Sequence, residues 1–221
     1  MAETFFFSTD HLIVLVFFSL FLCICPKLTK NLLPYSHLVE KVICVLIVSE
    51  IVLEQLTLIT MKQYDVLSSL PIGVSRFAAY MCILILIFKQ SQLYNVFYSW
   101  TLVSCIGELI FFKDMGCRFP NFIYFLYIGS KCLLIYANVY MSEVRKFRIS
   151  KFAIRDNIIM CLLYFSFIVL LNILTKAHYD YSFSTYNILS IFIFMILTTI
   201  IYIPSYLSDK DDFRLIKKRT K

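Results

Sequence analysis

Five ionisable side chains interrupt stretches of this chain that are otherwise apolar enough to dissolve in lipid: Glu50, Glu54, Arg76, Glu108 and Lys131. Each costs at least about 2.5–3.5 kcal/mol to place in hydrocarbon, so such groups normally turn inward and find partners. Glu50 and Glu54 are four residues apart, which puts them on one face of a helix. Arg76 enters its own stretch from the opposite direction and reaches a depth close to that of Glu50, while Glu54 and Glu108 lie nearer the outer ends of theirs. Three acids and two bases nearly neutralise one another in a single polar core. Such a core can fix helix register, or it can form part of a proton or ion pathway. Pairing seldom offsets the full desolvation of buried ions, which favours a functional reason for keeping them.

Beside Arg76 runs SSLPIGVSRFAAYM, residues 68–81. Pro71 leaves a carbonyl without its helical partner, and Gly73 admits a close backbone approach, so a kink or local unwinding is expected there. Ser75 and Arg76 then sit next to the bend. The bend serves packing alone, or it opens a small polar pocket toward the outer leaflet.

The elements that must hold these residues follow from composition. Of 221 residues 60% are apolar and only 16% charged, with a mean hydropathy of +0.80, whereas a soluble domain carries roughly a quarter charged residues. A helix crosses the hydrocarbon with about 20 apolar residues. Seven stretches meet that need: 12–28, 39–61, 66–88, 93–112, 119–141, 157–175 and 185–207. Ten-residue segments of alternating polarity, the mark of a lipid-facing barrel, do not occur. The expected fold is an all-α polytopic bundle of about seven transmembrane helices over residues 1–208, followed by a basic tail, 209–221. The first stretch lacks a basic leader and a small-residue cleavage site and is expected to be retained as a span.

Basic residues set the orientation, because basic connectors stay on the cytoplasmic side. Fifteen of the 21 Lys and Arg lie on one set of connectors and the tail, and four (Lys62, Lys113, Arg118 and Lys176) on the other; Arg76 and Lys131 are within stretches. A multi-pass protein of the cell membrane, N-terminus outside and C-terminus cytoplasmic, is expected. The tail, RLIKKRTK, acts as a topogenic stop and attracts anionic headgroups. It lacks the interleaved aromatics of a nucleic-acid binder, so lipids are the expected partners and nucleic acid is not.

Seven of the eight cysteines fall in apolar stretches and only Cys117 in a connector, so they read as packing residues rather than a disulfide framework. His178, Tyr179 and Tyr181 share an external connector, where a metal would need two or more further ligands that cannot be assembled; packing of the loop is the expected role. With four glycines in the chain and no phosphate loop, dinucleotide fingerprint, zinc spacing or nucleophile elbow, no cofactor and no metal are called for.

Several short motifs together resemble the YwaF-like integral membrane family, whose third helix carries Leu-Pro-Leu-His-Leu-Cys. Leu70, Pro71, Ile72, Gly73, Val74 and Ser75 occupy that place here. The resemblance continues in Asp10-His11, in Glu50 or Glu54, in Trp100, in Phe119-Pro120-Asn121-Phe122, and in Asn172 followed by His178, Tyr179, Asp180 and Tyr181. It extends over roughly residues 7–200. That family is in turn similar to a eukaryotic group proposed to transfer acyl chains between glycerolipids, with the signature Cys as nucleophile and a fifth-helix His as base. Here Ser75 stands for the Cys, Gly73 for the signature His and Lys131 for the fifth-helix His, so a thiol and imidazole mechanism is absent from these positions.

The resemblance therefore implies one of two things. The chain is a non-catalytic relative that keeps the bundle and a lipid-binding cleft and works as a binding protein or as an accessory subunit to a membrane-protein partner. Alternatively, Ser75 and Lys131 form a serine–lysine dyad, since both lie about ten to twelve residues, roughly 15–18 Å, from the outer ends of their stretches. A carboxylate beside Lys131 would keep it an ammonium and spoil it as a base. The simpler expectation is an ion pair of Lys131 with Glu108 or Glu50, and a Ser75 hydroxyl bonded to its own preceding turn. The non-catalytic lipid-binding or accessory role leads; a Ser–Lys acyltransferase and a small ion- or proton-coupled transporter are the alternatives.

Overall fold

The apolar stretches become helices in a computed structural model, which describes residues 9–30, 33–62, 64–110, 121–176, 179 and 187–204. In chain order these are α1 (Thr9–Lys30), a single 3-10 turn (Leu33–Tyr35), α2 (Ser36–Thr60), α3 (Val66–Ser69), α4 (Val74–Phe88), α5 (Ser91–Ile110), α6 (Phe122–Glu143), α7 (Ala153–Thr175) and α8 (Ile188–Ile200). The protein is an all-α membrane bundle, with no strand among the described residues. Short polar side chains start several of the helices: Asp65, Asn121 and Asn187 each accept a bond from the backbone N–H two residues on, at the heads of α3, α6 and α8, taking up a donor that the first turn cannot pair internally.

The third stretch is the exception to continuity. It breaks into α3 and α4, and Leu70 between them is extended at φ −62° and ψ 137°. Pro71 accounts for the break, because its ring excludes the helical conformation at the preceding residue and its nitrogen donates nothing. Local bonds close the gap: Ile72 N–H donates to the Leu70 carbonyl at 2.8 Å, and Phe77 N–H starts α4 from the Gly73 carbonyl at 2.8 Å. The Ile72 carbonyl, freed by the break, accepts the Tyr164 hydroxyl of α7 at 2.6 Å. The expected role of Gly73 does not hold. Its φ is −57° and a Cβ there would meet nothing within 4 Å, so no backbone approaches it, and Pro71 alone explains the bend.

Helices α5 and α6 form the centre. The first packs against α4, α6, α7 and α8, the second against α1, α2, α4 and α5. Four helices (His11–Lys30, Ser36–Thr60, Phe122–Glu143 and Ala153–Thr175) are long and apolar enough to cross a membrane. Helix α5 carries buried Asn95, Ser99, Thr101, Ser104 and Cys105, a polarity that its position permits: neighbours screen it from lipid, and its polar groups find partners inside. The outer helices show the reverse, with Phe17, Leu20 and Ile24 on α1 and Leu163, Phe167 and Ile173 on α7 exposed, as suits surfaces whose solvent is acyl chains.

Candidate functional site

Arg76 and Ser75 occupy the first turn of α4, directly after the break. The break thus delivers two polar side chains to the bundle interior at the start of a helix. Arg76 forks between the two α2 acids: Nη1 donates to Glu50 Oε2 at 2.6 Å and Nη2 pairs with Glu54 Oε2. This bidentate use of a planar guanidinium matches the one-turn spacing of the carboxylates. The Arg76 and Glu50 side chains are 8% and 9% exposed and Glu54 27%, so Glu54 is the more exposed end of the group. Glu50 Oε1 is buried and has no hydrogen-bond partner.

A second group lies on the other side of Ser75. Lys131 Nζ of α6 pairs with Glu108 Oε2 of α5 at 2.6 Å, and the two side chains are 2% and 12% exposed. The same ammonium donates to Ser75 Oγ at 3.1 Å, and the Ser75 hydroxyl donates to Glu108 Oε2 at 3.1 Å. Lys131 also rests over the Tyr127 ring, 5.0 Å from its centroid. All five ionisable residues and Ser75 therefore meet around the head of α4, as two ion-pair groups joined by the peptide link between Ser75 and Arg76. The partner of Lys131 is Glu108 rather than Glu50, and Ser75 bonds across helices rather than to its preceding turn. Chemically the triangle brings a hydroxyl beside an amine, but Nζ donates to that hydroxyl and is engaged by Glu108 Oε2 at 2.6 Å, and the hydroxyl donates to the same carboxylate.

Against the other side of α4, a cavity of about 380 Å³ opens between α4 and α7. Ile72, Phe77 and Tyr80 line one wall and Met160, Leu163, Tyr164, Phe167 and Ile168 the other. The Tyr164 and Phe77 rings lie 5.0 Å apart between centroids, tilted by 30°, and Trp100, 0% exposed, backs both. Tyr80 follows Arg76 by one helical turn and so stands between the cavity and the charged group.

Two further polar hubs were not legible as a set. Trp100 Nε1 donates to Asn157 Oδ1 at 2.8 Å, and Asn157 Nδ2 donates to Thr198 Oγ1 at 3.1 Å, tying α5, α7 and α8. His11 of α1 is buried, with Nδ1 2.8 Å from the Tyr124 hydroxyl and Nε2 3.1 Å from the Leu109 carbonyl. A carbonyl only accepts, so Nε2 carries hydrogen. A lone Asn or His in an apolar stretch is the signal that could have marked them. Asn172 does meet Tyr179: its Oδ1 accepts from Tyr179 N–H at 3.0 Å and its Nδ2 donates to the Tyr179 carbonyl at 2.9 Å, while the Tyr179 hydroxyl donates to Val66 O at 2.6 Å. His178 and Tyr181 lie outside the described residues, as does the basic tail, 209–221. Among the described residues no cluster of three or more His, Cys, Asp or Glu could hold a metal ion.

The model of the TMEM164 family matches residues 6–207. This chain belongs to the TMEM164 family. The match takes in every helix described above, both ion-pair groups and the cavity wall, so the site belongs to the part of the chain that the TMEM164 family shares. No curated protein and no solved structure matches the chain.

Proposed function

We propose that this member of the TMEM164 family is a non-catalytic, membrane-embedded lipid-binding protein that holds an acyl chain in the cavity between α4 and α7. The observation that carries the reading is the cavity itself: about 380 Å³, within the span of small-ligand sites, on a face of the bundle where lipid is the neighbour. Its walls offer carbon and aromatic rings, and the one hydroxyl whose bond is fixed, that of Tyr164, is spent on the Ile72 carbonyl. A chain of methylenes gains dispersion contacts there and leaves no polar group unpaired. The ion pairs then act as the frame, fixing α2, α5 and α6 around the broken helix. The resemblance to the YwaF-like family supports the same role, either alone or as an accessory to a membrane-protein partner, and the basic bias of the connectors supports an outside N-terminus and a cytoplasmic tail.

The contact of Lys131 with Ser75 favours a second reading, a serine–lysine acyltransferase. In it Ser75 Oγ would attack an ester carbonyl, pass its proton to Lys131, and release a lysolipid that takes the proton back. That step needs a lone pair on Nζ, and in the observed arrangement Nζ is engaged by Glu108 at 2.6 Å. The unpartnered Glu50 Oε1 favours a third, an ion- or proton-coupled carrier, which predicts flux in liposomes that vanishes in Glu50→Gln.

Native mass spectrometry of the purified protein with lipids retained decides among them. The lipid-binding reading expects a bound phospholipid whose occupancy falls in Leu163→Trp, which adds an indole to the cavity wall and narrows it, and is kept in Ser75→Ala and in Lys131→Met/Glu108→Gln. Equal lipid occupancy in Leu163→Trp would overturn it. An acyl adduct on Ser75 after incubation with labelled phospholipid would replace it with the enzyme.

A further inference from the structure

The segment between α6 and α7 is built as a strap whose two edges differ. Over 146–150 the backbone has no regular structure, yet it is pinned at both ends. Phe147 N–H donates to Met141 O at 3.1 Å, and Ser150 N–H donates to Asn95 Oδ1 at 2.9 Å. Phe147 and Ile149 pack onto the core, Phe147 edge-on to Tyr94 at 5.5 Å. The alternation leaves Lys146, Arg148 and Ser150 on the outer edge, and Lys151 follows in the turn before α7; the three cations are exposed, and among the described residues none of them forms an ion pair. Neighbouring Arg145 and Arg155 are neutralised by Glu40 and Asp156. Phe152 completes the edge, 61% exposed, with the Arg155 guanidinium 4.9 Å from its ring centroid.

A solvated connector has no need for a fixed row of unpaired cations ending in an exposed aromatic ring. The strap joins two helices long enough to span, so it lies at the level of the headgroups, where an aromatic ring is stable at the apolar boundary and cations meet lipid phosphate. From this juxtaposition we propose that Lys146, Arg148 and Lys151, with Phe152 as the apolar anchor, form a docking surface for the headgroups of anionic phospholipids. The surface is separate from the α4–α7 cavity and does not depend on what the cavity holds. The pinned backbone matters because it holds the cations in place before a lipid arrives, which lowers the ordering penalty of binding.

Each basic side chain near an anionic surface contributes on the order of a fivefold increase in affinity, so the three together amount to roughly a hundredfold at low salt, a margin that screening reduces. The test titrates the full-length protein in neutral detergent with phosphatidylserine or phosphatidylcholine and reads bound lipid by native mass spectrometry. The expected result is a preference for phosphatidylserine that falls on the order of a hundredfold in Lys146→Gln/Arg148→Gln/Lys151→Gln, is kept in Arg148→Lys, and weakens in Phe152→Ser. Unchanged phosphatidylserine binding in the triple variant overturns the proposal, as does equal binding of the two lipids by the wild type. Displacement by equimolar inorganic phosphate also overturns it, because the surface would then be a simple anion site. Leu163→Trp should leave the preference intact, so failure of the cavity reading and failure of this one are told apart.

Discussion

Replacing Arg76 by Met removes the cation while keeping most of the side-chain volume, and it leaves Glu50 and Glu54 facing the same space with no counter-charge. Glu50 is the more damaging of the two: its side chain is 9% exposed, against 27% for Glu54, and its second oxygen is already without a partner. Breaking a buried pair from one side costs about 3–5 kcal/mol. At about 2–4 °C per kcal/mol for a chain of this length, the melting temperature should fall by roughly 6–20 °C. The protein carries its own reporter. Cys82, Cys105, Cys132 and Cys161 are buried free thiols, so a maleimide dye added to detergent-solubilised protein brightens as the bundle opens, and replacing Cys23, Cys25, Cys44 and Cys117 by Ser removes the thiols outside that buried set. The double variant Arg76→Met/Glu50→Gln should recover at least half of the loss, since the deepest uncompensated charge is gone. Glu54→Gln alone should lower the melting temperature less than Glu50→Gln. A fall below about 2 °C in Arg76→Met, or a double variant no better than the single one, would refute the view that the α2–α4 ion pairs are internal and closely coupled.

Lys131→Met should be destabilising by a similar mechanism, because it strands Glu108, and adding Glu108→Gln should restore most of the loss in the same thiol assay. Tyr164→Phe deletes the one side-chain bond to the freed Ile72 carbonyl and should cost about 1–3 kcal/mol, visible as faster hydrogen exchange across 70–77. Gly73→Ala should be nearly silent, within about 1 kcal/mol, because its φ is negative and the space beside it is open. Asn157→Leu should lower the melting temperature and blue-shift the fluorescence of Trp100, the single tryptophan, since the buried indole N–H loses its polar acceptor to an apolar side chain and the α5–α7–α8 hub loses its bonds.

Much of this architecture can be read from the chain without coordinates, and the parts that cannot share a physical reason. Apolar length locates the helices, since an unsatisfied backbone in hydrocarbon leaves no other regular solution, and Pro71 locates the break because its chemistry acts on its own neighbours. Depth along a helix is likewise legible at 1.5 Å per residue, which is why Arg76 could be brought to the level of Glu50 and Ser75 to that of Lys131. Rotation about the helix axis is a different quantity. Whether Lys131 turns to Glu108 or to Glu50 depends on how α5 and α6 roll against α4, and that is decided by ordinary apolar side chains summed over the whole interface. The same limit hid the cavity, whose walls (Met160, Leu163, Phe167) are indistinguishable by type from the lipid-facing residues beside them. It also hid the pairing of Trp100 with Asn157, two residues 57 apart.

That distinction bears on which activity the site can have. The helix break commits the head of α4 to two tasks at once: Arg76 draws α2 in, and Ser75 closes the triangle with α5 and α6. A nucleophile in that position would need to leave the triangle to reach a substrate, yet each of its two bonds, from Lys131 and to Glu108, is to a charged group held below about one-eighth exposure. The far side of α4 carries none of these constraints. Its wall shares the break, through Ile72, and the backing ring of Trp100. Under the lipid-binding role proposed above, the ions serve as the frame and the apolar wall takes the acyl chain, a division of labour set by the positions of Pro71, Ser75 and Arg76. It forecasts that variants of the two faces will separate: substitutions in the triangle should change melting temperature with lipid occupancy following only as the fold weakens, whereas Leu163→Trp or Phe167→Ala should change lipid occupancy while the melting temperature moves little.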